Sequence, residues 1–504
     1  MFTILLLNCI ASLPIIQAVT PPPDGCYPNF STAEGCKALQ SLTSGVANTG
    51  IGWYSLFGNS TGSYNTAVGA GALDLNTADF NTAVGVASLL LNTTGTNNTA
   101  NGTAALVFND TGEGNTATGA FALYSNTGGQ FNTANGEFTL YYNTTGERNT
   151  AMGDSALYQN TGGSRNTAVG NPALLSNTTG SDNTAIGSNA LFSNNADENT
   201  AVGAAALQAN STGGLNTAIG FNALMANQTG LANTATGWRA LFSNTTGERN
   251  TANGRSALHD NVNGSFNTAM GEFALSANAS GSLNTAIGYL ALSNSTGGQN
   301  TAIGEGALVN NTTGSQNTAI GTGAGTAVTT ASNVICIGAG GANVDSSCYI
   351  QNVWQQPGGS QAVFVNSDGK LGAQVSSRRF KHDITAMEHS SEILYRLNPV
   401  SFRYNTDIDP TCPLAFGLVA EEVEQVDPDL VSDDKGGNAF SVRYDQVNAM
   451  LLNEFLKEHR KVQELETRLT QQEKQIESMA ASLQRVSAQI EMSRPAPDVV
   501  ASER

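Results

Sequence analysis

The sequence is poor in charge and in histidine. Only 12% of its 504 residues are charged, four are histidine, and the net charge is −18. A chain with so few basic residues lacks the cationic patches that nucleic-acid phosphates require, so we expect no nucleic-acid partner. The cysteines and histidines show no spacing typical of a metal site, so we expect neither a metal nor another cofactor. Beyond the N-terminus, no apolar run is long enough to cross a membrane.

The N-terminus holds the one long apolar run. Residues 1–18 are apolar from Phe2 to Ile16 and end at Ala18, ahead of a proline-rich segment. This pattern predicts a signal peptide cleaved after Ala18, although no Lys or Arg precedes the run. A short membrane anchor is the alternative. We therefore expect a secreted or cell-surface protein.

The six cysteines fit an oxidising compartment. Cys26 and Cys36 bracket a short loop and could form a disulfide, as could Cys336 and Cys348 near the end of the repeats described below. Cys412 is left over, and we expect it to be a buried thiol.

Glycine, by contrast, is abundant and periodic. Eighteen glycines from Gly52 to Gly338 recur at intervals of 17 residues, shortened to 16 three times. Each belongs to a unit that reads roughly N-T-A-x-G-x-x-A-L-x-x-N-T-T-G-x-x, as in residues 149–165. A period this short and regular predicts a one-dimensional stack with one coil per repeat, not a compact enzyme domain.

Each repeat carries two corner signals, the glycine after N-T-A-x and the N-T-T-G or N-x-T-G-G turn. Between them we expect two short extended segments, for instance around residues 150–152 and 155–158. Residues 48–340 are therefore predicted to form a mainly β fold, a parallel β-solenoid or β-roll. Eighteen coils rising about 4.8 Å each give a rod on the order of 85 Å long.

The predicted core of the rod is thin. In the first sixteen units a leucine stands four residues after the glycine, from Leu56 to Leu308, with alanines beside it. The residue before the glycine is mostly Val, Ile or Met, with exceptions at Asn101, Thr118, Asn135, Thr236 and Asn253. So little apolar area per coil favours association of several chains, with side-chain hydrogen bonds between stacked Asn and Thr residues. The N-T-T triplets are also formal glycosylation acceptors, but the corner chemistry explains them more simply.

The composition changes after residue 375, where fifteen of the 22 Lys and Arg residues lie. The sequence there reads SSRRFKHDITAM, ILYRLNPVSFRYN, FGLVAEEVEQVDPDLV and SVRYDQVNAMLLNEFLKEHRKVQELE in turn. Residues 376–460 closely resemble the endosialidase-type intramolecular chaperone domain of phage tail spikes and bacterial surface fibres. The repeats resemble, more loosely, the head repeats of trimeric autotransporter adhesins, which implies left-handed β-rolls in trimers.

The chaperone resemblance implies a self-cleaving serine peptidase that cuts once. The family pattern has a Ser, usually followed by Asp, and a Lys five residues after the Ser. Here Ser376 takes the nucleophile position and Lys381 that of the base, while Ser377 stands where Asp is common and is a second candidate hydroxyl. The implied cleavage site comprises Val375, Ser376 and Ser377. A desolvated lysine can accept the serine proton.

The end of the chain predicts a small α+β domain and a coiled coil. A short helix is expected at residues 392–397, strands at 400–404 and 440–444, and a strand running into a helix over 416–423. A long helix capped by Asp445 then continues into heptads over residues 461–492, which favour a coiled coil. The thin rod and the family resemblance both favour three chains.

Residues 19–47 then form an N-terminal linker, 341–375 a connector and 493–504 a disordered tail. We expect a secreted homotrimeric fibre or adhesin-like protein whose C-terminal domain trimerises the chains and cuts itself off. The alternative is a tail-spike-like protein whose rod binds or hydrolyses a polysaccharide, but the repeats lack the paired carboxylates that hydrolysis needs. The family resemblance implies a cell-surface or glycan ligand, which no residue cluster identifies.

Overall fold

A computed structural model describes residues 28–353, 363–365, 371–373, 376–406, 411–434 and 436–494. The chain divides into two compact units, with the boundary between residues 356 and 357. The predicted signal peptide, Cys26, Val375 and most of the predicted tail lie outside the described residues.

The first unit is a parallel β-solenoid of about nineteen turns, which confirms the predicted fold class. Each strand pairs in register with its counterpart in the next coil, so that Thr150 faces Thr167 and Ala151 faces Ala168. The solenoid strands are β1 (Thr32–Glu34), β2 (Thr49–Ile51), β3 (Thr66–Val68), β4 (Thr82–Val84), β5 (Thr99–Asn101), β6 (Thr116–Thr118), β7 (Thr133–Asn135), β8 (Thr150–Met152), β9 (Thr167–Val169), β10 (Thr184–Ile186), β11 (Thr200–Val202), β12 (Thr217–Ile219), β13 (Thr234–Thr236), β14 (Thr251–Asn253), β15 (Thr268–Met270), β16 (Thr285–Ile287), β17 (Thr301–Ile303), β18 (Thr318–Ile320), β19 (Ile335–Ile337) and β20 (Cys348–Ile350). A short 3-10 turn, Pro28–Phe30, precedes them.

Each of these coils contains one strand, so the second extended segment predicted from the sequence is wrong. In the unit that contains β8, residues 155–158 form turns, because Ser155 and Leu157 have φ angles of 59° and 52°. Their amides bond in opposite directions. Ser155 N–H donates to Glu137 O of the preceding coil, and Leu157 N–H donates to Ala173 O of the following one. The backbone of this segment therefore links three successive coils without forming a second sheet.

The glycine that follows each strand turns the corner. Gly153 has a φ of 125°, and a Cβ atom added there would lie 2.8 Å from the backbone oxygen of Gly170. Both the backbone conformation and the close approach of the next coil exclude a side chain. This explains why the glycine returns in every unit.

The solenoid core is closed within a single chain. Leu157 and the two alanines of its coil, Ala151 and Ala156, are fully buried, and the same pattern continues along the stack. Two rows of buried asparagines complete the interior. In the first row, Asn143 Nδ2 donates to Asn126 Oδ1 at 2.8 Å; in the second, Asn149 N–H donates to Asn132 Oδ1 at 3.0 Å. The predicted asparagine ladders are thus present.

The first asparagine row is interrupted where a coil is shortened to 16 residues. The amide oxygens of Asn59, Asn177 and Asn278 are buried without a hydrogen-bond partner, and each precedes one of the three short coils. After Asn59 and Asn177 the shorter turn displaces the next amide donor, and after Asn278 the next residue of the row is Ser295, which has no amide. The fourth such oxygen, that of Asn311, lies at the C-terminal end of the row, where Val328 replaces the next asparagine.

The second unit is a small α+β region followed by a long helix. Its elements are hairpin strands β21 (Val363–Val365) and β22 (Leu371–Ala373), 3-10 turns Arg378–Phe380, Glu388–Arg396 and Pro428–Leu430, hairpin strands β23 (Val400–Phe402) and β24 (Ala415–Gly417), helix Ala420–Val426, hairpin strands β25 (Val431–Asp433) and β26 (Ala439–Val442), and helix Tyr444–Met492. The long helix starts one residue before Asp445, which therefore lies in its first turn and does not cap it.

The disulfide suggested between Cys336 and Cys348 is not formed in the structure. Cys348 pairs with Ile335 across strands β19 and β20, while Cys336 pairs with Tyr349. Because successive side chains alternate between faces of a sheet, Cys336 points into the core and Cys348 faces outward. Burial raises the pKa of the Cys336 thiol, which keeps it protonated. Cys36 is exposed, and Cys412 is half-buried, not buried as expected.

Candidate functional site

The candidate cleavage segment begins at Ser376 and contains one tight turn. Ser377 is extended and precedes the 3-10 turn Arg378–Phe380, which Phe380 N–H closes by donating to Ser377 O at 3.0 Å. Lys381 is extended again, and its N–H donates to Arg378 O at 3.1 Å. The Arg379 guanidinium lies over the Phe380 ring, 4.6 Å from its centroid. One 3-10 turn thus separates the two serines from the lysine.

The side chains of this segment are exposed in the single chain. Ser376, Ser377 and Lys381 are all solvent-accessible, and Phe380 is 54% exposed. Among the described residues, no hydrogen bond joins either serine hydroxyl to the lysine amine. A lysine acts as a general base in its neutral form, which desolvation favours. The single chain therefore brings the predicted residues into one segment but does not bury them.

A buried acidic side chain holds the long helix to the Glu388–Arg396 turn. Glu454 is only 7% exposed. Its carboxylate accepts hydrogen bonds from Lys457 Nζ at 2.7 Å, from the Ser391 hydroxyl, and from the Tyr395 hydroxyl at 2.8 Å. The Lys457 ammonium and the two hydroxyls lower the pKa of the Glu454 carboxyl to about 2.

Asn453 adds two bonds to the same turn, to Ser391 Oγ at 2.7 Å and to Glu388 O at 3.1 Å. Sequence reasoning missed this cluster. The sequence did contain a signal for it. Asn453 and Glu454 interrupt an apolar stretch of the helix, and Lys457 follows Glu454 by about one helical turn, which places the two charges side by side.

Large apolar side chains of the second unit remain uncovered. Phe416 and Phe440 are 77% and 74% exposed, although both lie on hairpin strands. The apolar heptad residues of the long helix are between 48% and 67% exposed, from Val462 to Ile490. An apolar groove of about 590 Å³ opens between Leu397, Phe416 and Leu451. Large exposed apolar side chains and an open apolar groove are typical of protein–protein interfaces.

The described residues contain no cluster of three or more His, Cys, Asp or Glu side chains that could hold a metal ion. Among the helices of the same residues, none combines the length and the apolar character that a membrane span requires.

The fold defines a repeat solenoid followed by a small α+β unit with a long helix. Residues 376–432 of that unit match the family model described as chaperone of endosialidase. An autoproteolytic chaperone domain therefore lies near the C-terminus, preceded by the β-solenoid. Such a domain is typical of trimeric fibre and tail-spike proteins that cleave themselves, and it implies homotrimer assembly. No curated protein and no solved structure matches the chain.

Proposed function

We propose that the protein is a secreted or cell-surface homotrimeric fibre of the adhesin type, whose C-terminal domain aligns three chains and then cuts itself off. The observation that carries this proposal is the match to the chaperone family, which begins at Ser376, the residue that the Ser-x4-Lys pattern selects as nucleophile. The exposed apolar side chains of the second unit support it, because three copies would cover them.

In this proposal Ser376 and Lys381 perform the cut. The neutral Lys381 amine accepts the hydroxyl proton of Ser376, and Ser376 Oγ attacks the carbonyl carbon of the preceding peptide bond. The carbon–nitrogen bond breaks, the nitrogen takes the proton and becomes the new amino terminus, and an ester remains. Water then hydrolyses the ester, which releases the domain and restores the serine hydroxyl.

The exposure of Lys381 in the single chain suggests when cleavage takes place. A solvated ammonium has no free electron pair to accept a proton, so the base acts only after something desolvates it. We infer that packing of the other two copies against this segment supplies the desolvation. Cleavage then follows assembly and does not precede it.

Electrophoresis of the full-length chain, boiled and unboiled, tests the dyad. Lys381→Ala and Ser376→Ala are expected to abolish cleavage and leave a full-length trimer, whereas Ser377→Ala still cuts. Lys461→Ala is the matched control, since Lys461 is an exposed lysine on the long helix. Cleavage that survives Ser376→Ala but stops in Ser377→Ala would make Ser377 the nucleophile. Cleavage in all variants would indicate an external protease.

A further inference from the structure

One face of the solenoid carries no charge. Strands β2 to β19 each place their middle residue inward and their first and third residues outward. The first residue is threonine from β2 to β18, and none of the eighteen strands contains a charged residue. We call this surface the strand face.

The surfaces on either side of the strand face differ from it in charge. On one side, the residues that directly follow the corner glycines include Glu137, Asp154 and Arg255. On the other side, the residues that directly precede the second row of asparagines include Arg148 and Arg165. All five are exposed. A protein with a net charge of −18 therefore keeps one long surface free of charge while charging its neighbours.

The third residues of these strands form a row along the strand face that is mostly aliphatic and partly or fully exposed. Ile186 is 41% exposed, Ile219 43% and Ile320 42%, although each has a β-strand neighbour on both sides. Thirteen of the eighteen positions are Val, Ile or Met. The two interruptions are polar: Asn101, Thr118 and Asn135 in the first, and Thr236 and Asn253 in the second.

We propose that the strand face is the surface along which copies of this chain pack, and that its polar interruptions fix their register. The inference rests on the homotrimer proposed above, which already brings copies side by side. A second copy suits this face because an uncharged surface repels neither itself nor its symmetry mate. In register, each polar residue meets its own counterpart, and amide can bond to amide.

A slip by one coil would break this match. It would place Val84 against Asn101, Asn135 against Met152, Ile219 against Thr236 and Asn253 against Met270. Each mismatch leaves a buried polar group against an aliphatic side chain, without a hydrogen-bond partner. The solenoid core cannot supply this information, since its Leu, Ala and Asn residues are nearly the same in every coil.

Cysteine cross-linking tests the position of the interface. In the full-length chain, with the native cysteines other than buried Cys336 changed to serine, Ile186→Cys is compared with Ser188→Cys. Ser188 is exposed in the same unit, beyond the Gly187 corner. A short bifunctional thiol reagent is expected to link chains through residue 186 and not 188. A monomer by light scattering would refute the homotrimer itself. A trimer that links at 188 and not 186 would refute only the strand face.

Co-expression tests the register. Chains carrying Ile186→Cys are mixed with chains carrying Ile219→Cys, two coils and about 10 Å away along the solenoid. Mixed links therefore report a slip by two coils, which would also place Val84 against Thr118 and Asn135 against Val169. We expect few mixed links in the native background. Changing Asn101, Thr118 and Asn135 together to valine should raise mixed links several-fold, and changing Thr236 and Asn253 to isoleucine provides an independent second variant. Unchanged mixed links in both variants, with trimers retained, would show that the polar interruptions carry no register.

Discussion

The buried asparagine row makes a local and quantitative prediction. Asn143 Nδ2 donates to Asn126 Oδ1 at 2.8 Å and to Gly146 O at 3.1 Å, and its own Oδ1 accepts from Asn160 Nδ2 at 2.8 Å. Gly146 O keeps a second donor, the side chain of Asn132. Asn143→Ala therefore leaves two buried groups without a hydrogen-bond partner, Oδ1 of Asn126 and one N–H of the Asn160 side chain.

Each unsatisfied buried group costs about 1–3 kcal/mol, so the substitution should cost about 4 kcal/mol. Since every 1.4 kcal/mol is a factor of ten, the local opening equilibrium should rise roughly a thousandfold. In a solenoid each coil contacts only its neighbours, so the effect should stay close to the substituted coil. Hydrogen exchange followed by mass spectrometry measures this directly, with peptides around β7 to β9 compared with peptides around β16.

Asn171→Ala is the matched control. Asn171 is exposed, and its side chain makes one bond, to Asp154 Oδ2 at 2.7 Å. Its loss should change exchange less than tenfold, because water replaces the partner. If Asn143→Ala changed exchange no more than Asn171→Ala does, the asparagine row would not stabilise the solenoid, and the reasoning would be wrong.

Three further outcomes are expected. Because Glu454 has a depressed pKa of about 2, its stabilisation is fully present above the unfolded pKa near 4.5 and is lost as pH falls from there towards 2. Thermal melts of the helical circular dichroism signal should show this loss, and Glu454→Gln should flatten it. In a glycosylating host, mass spectrometry should find sugar at exposed acceptors such as Asn97 and Asn263 and none at buried Asn143. Hydrogen exchange in the native protein should be faster at the short coil after Asn177 than at the 17-residue coils beside it, since the amide oxygen of Asn177 has no partner.

The solenoid could be predicted well because the same residues recur at the same positions in almost every repeat. A leucine four residues after each glycine and an asparagine at each turn indicated both the core and the ladders. The backbone of residues 155–158 could not be predicted, because nothing in the letters Ser-Ala-Leu-Tyr indicates that Leu157 adopts a φ of 52°. The adjacent coils impose that conformation through hydrogen bonds on both sides.

The second unit could be predicted only in outline. Strands β23, β24 and β26 and the long helix lie close to where the alternation and the heptads placed them, whereas β21, β22 and β25 were not predicted. The contacts of Glu454, however, join residues about sixty positions apart, from Ser391 to the long helix. A sequence pattern does not encode which distant turn a helical carboxylate will meet. In the solenoid, the outward direction of the Cys348 side chain could not be predicted either, because it depends on the register of β20 against Ile335.

The two units differ in how much of their apolar surface a single chain buries. From this difference we infer the order in which the chains assemble. A solenoid coil finds its leucine, alanine and most of its asparagine partners within its own chain. The second unit leaves Phe416, Phe440 and the heptad residues exposed, so it gains most from association at once. In the proposed homotrimer, association is therefore expected to begin there and to bring the three strand faces together. In this proposal the packed faces then hold the register, so the fibre is expected to stay aligned after the domain is released.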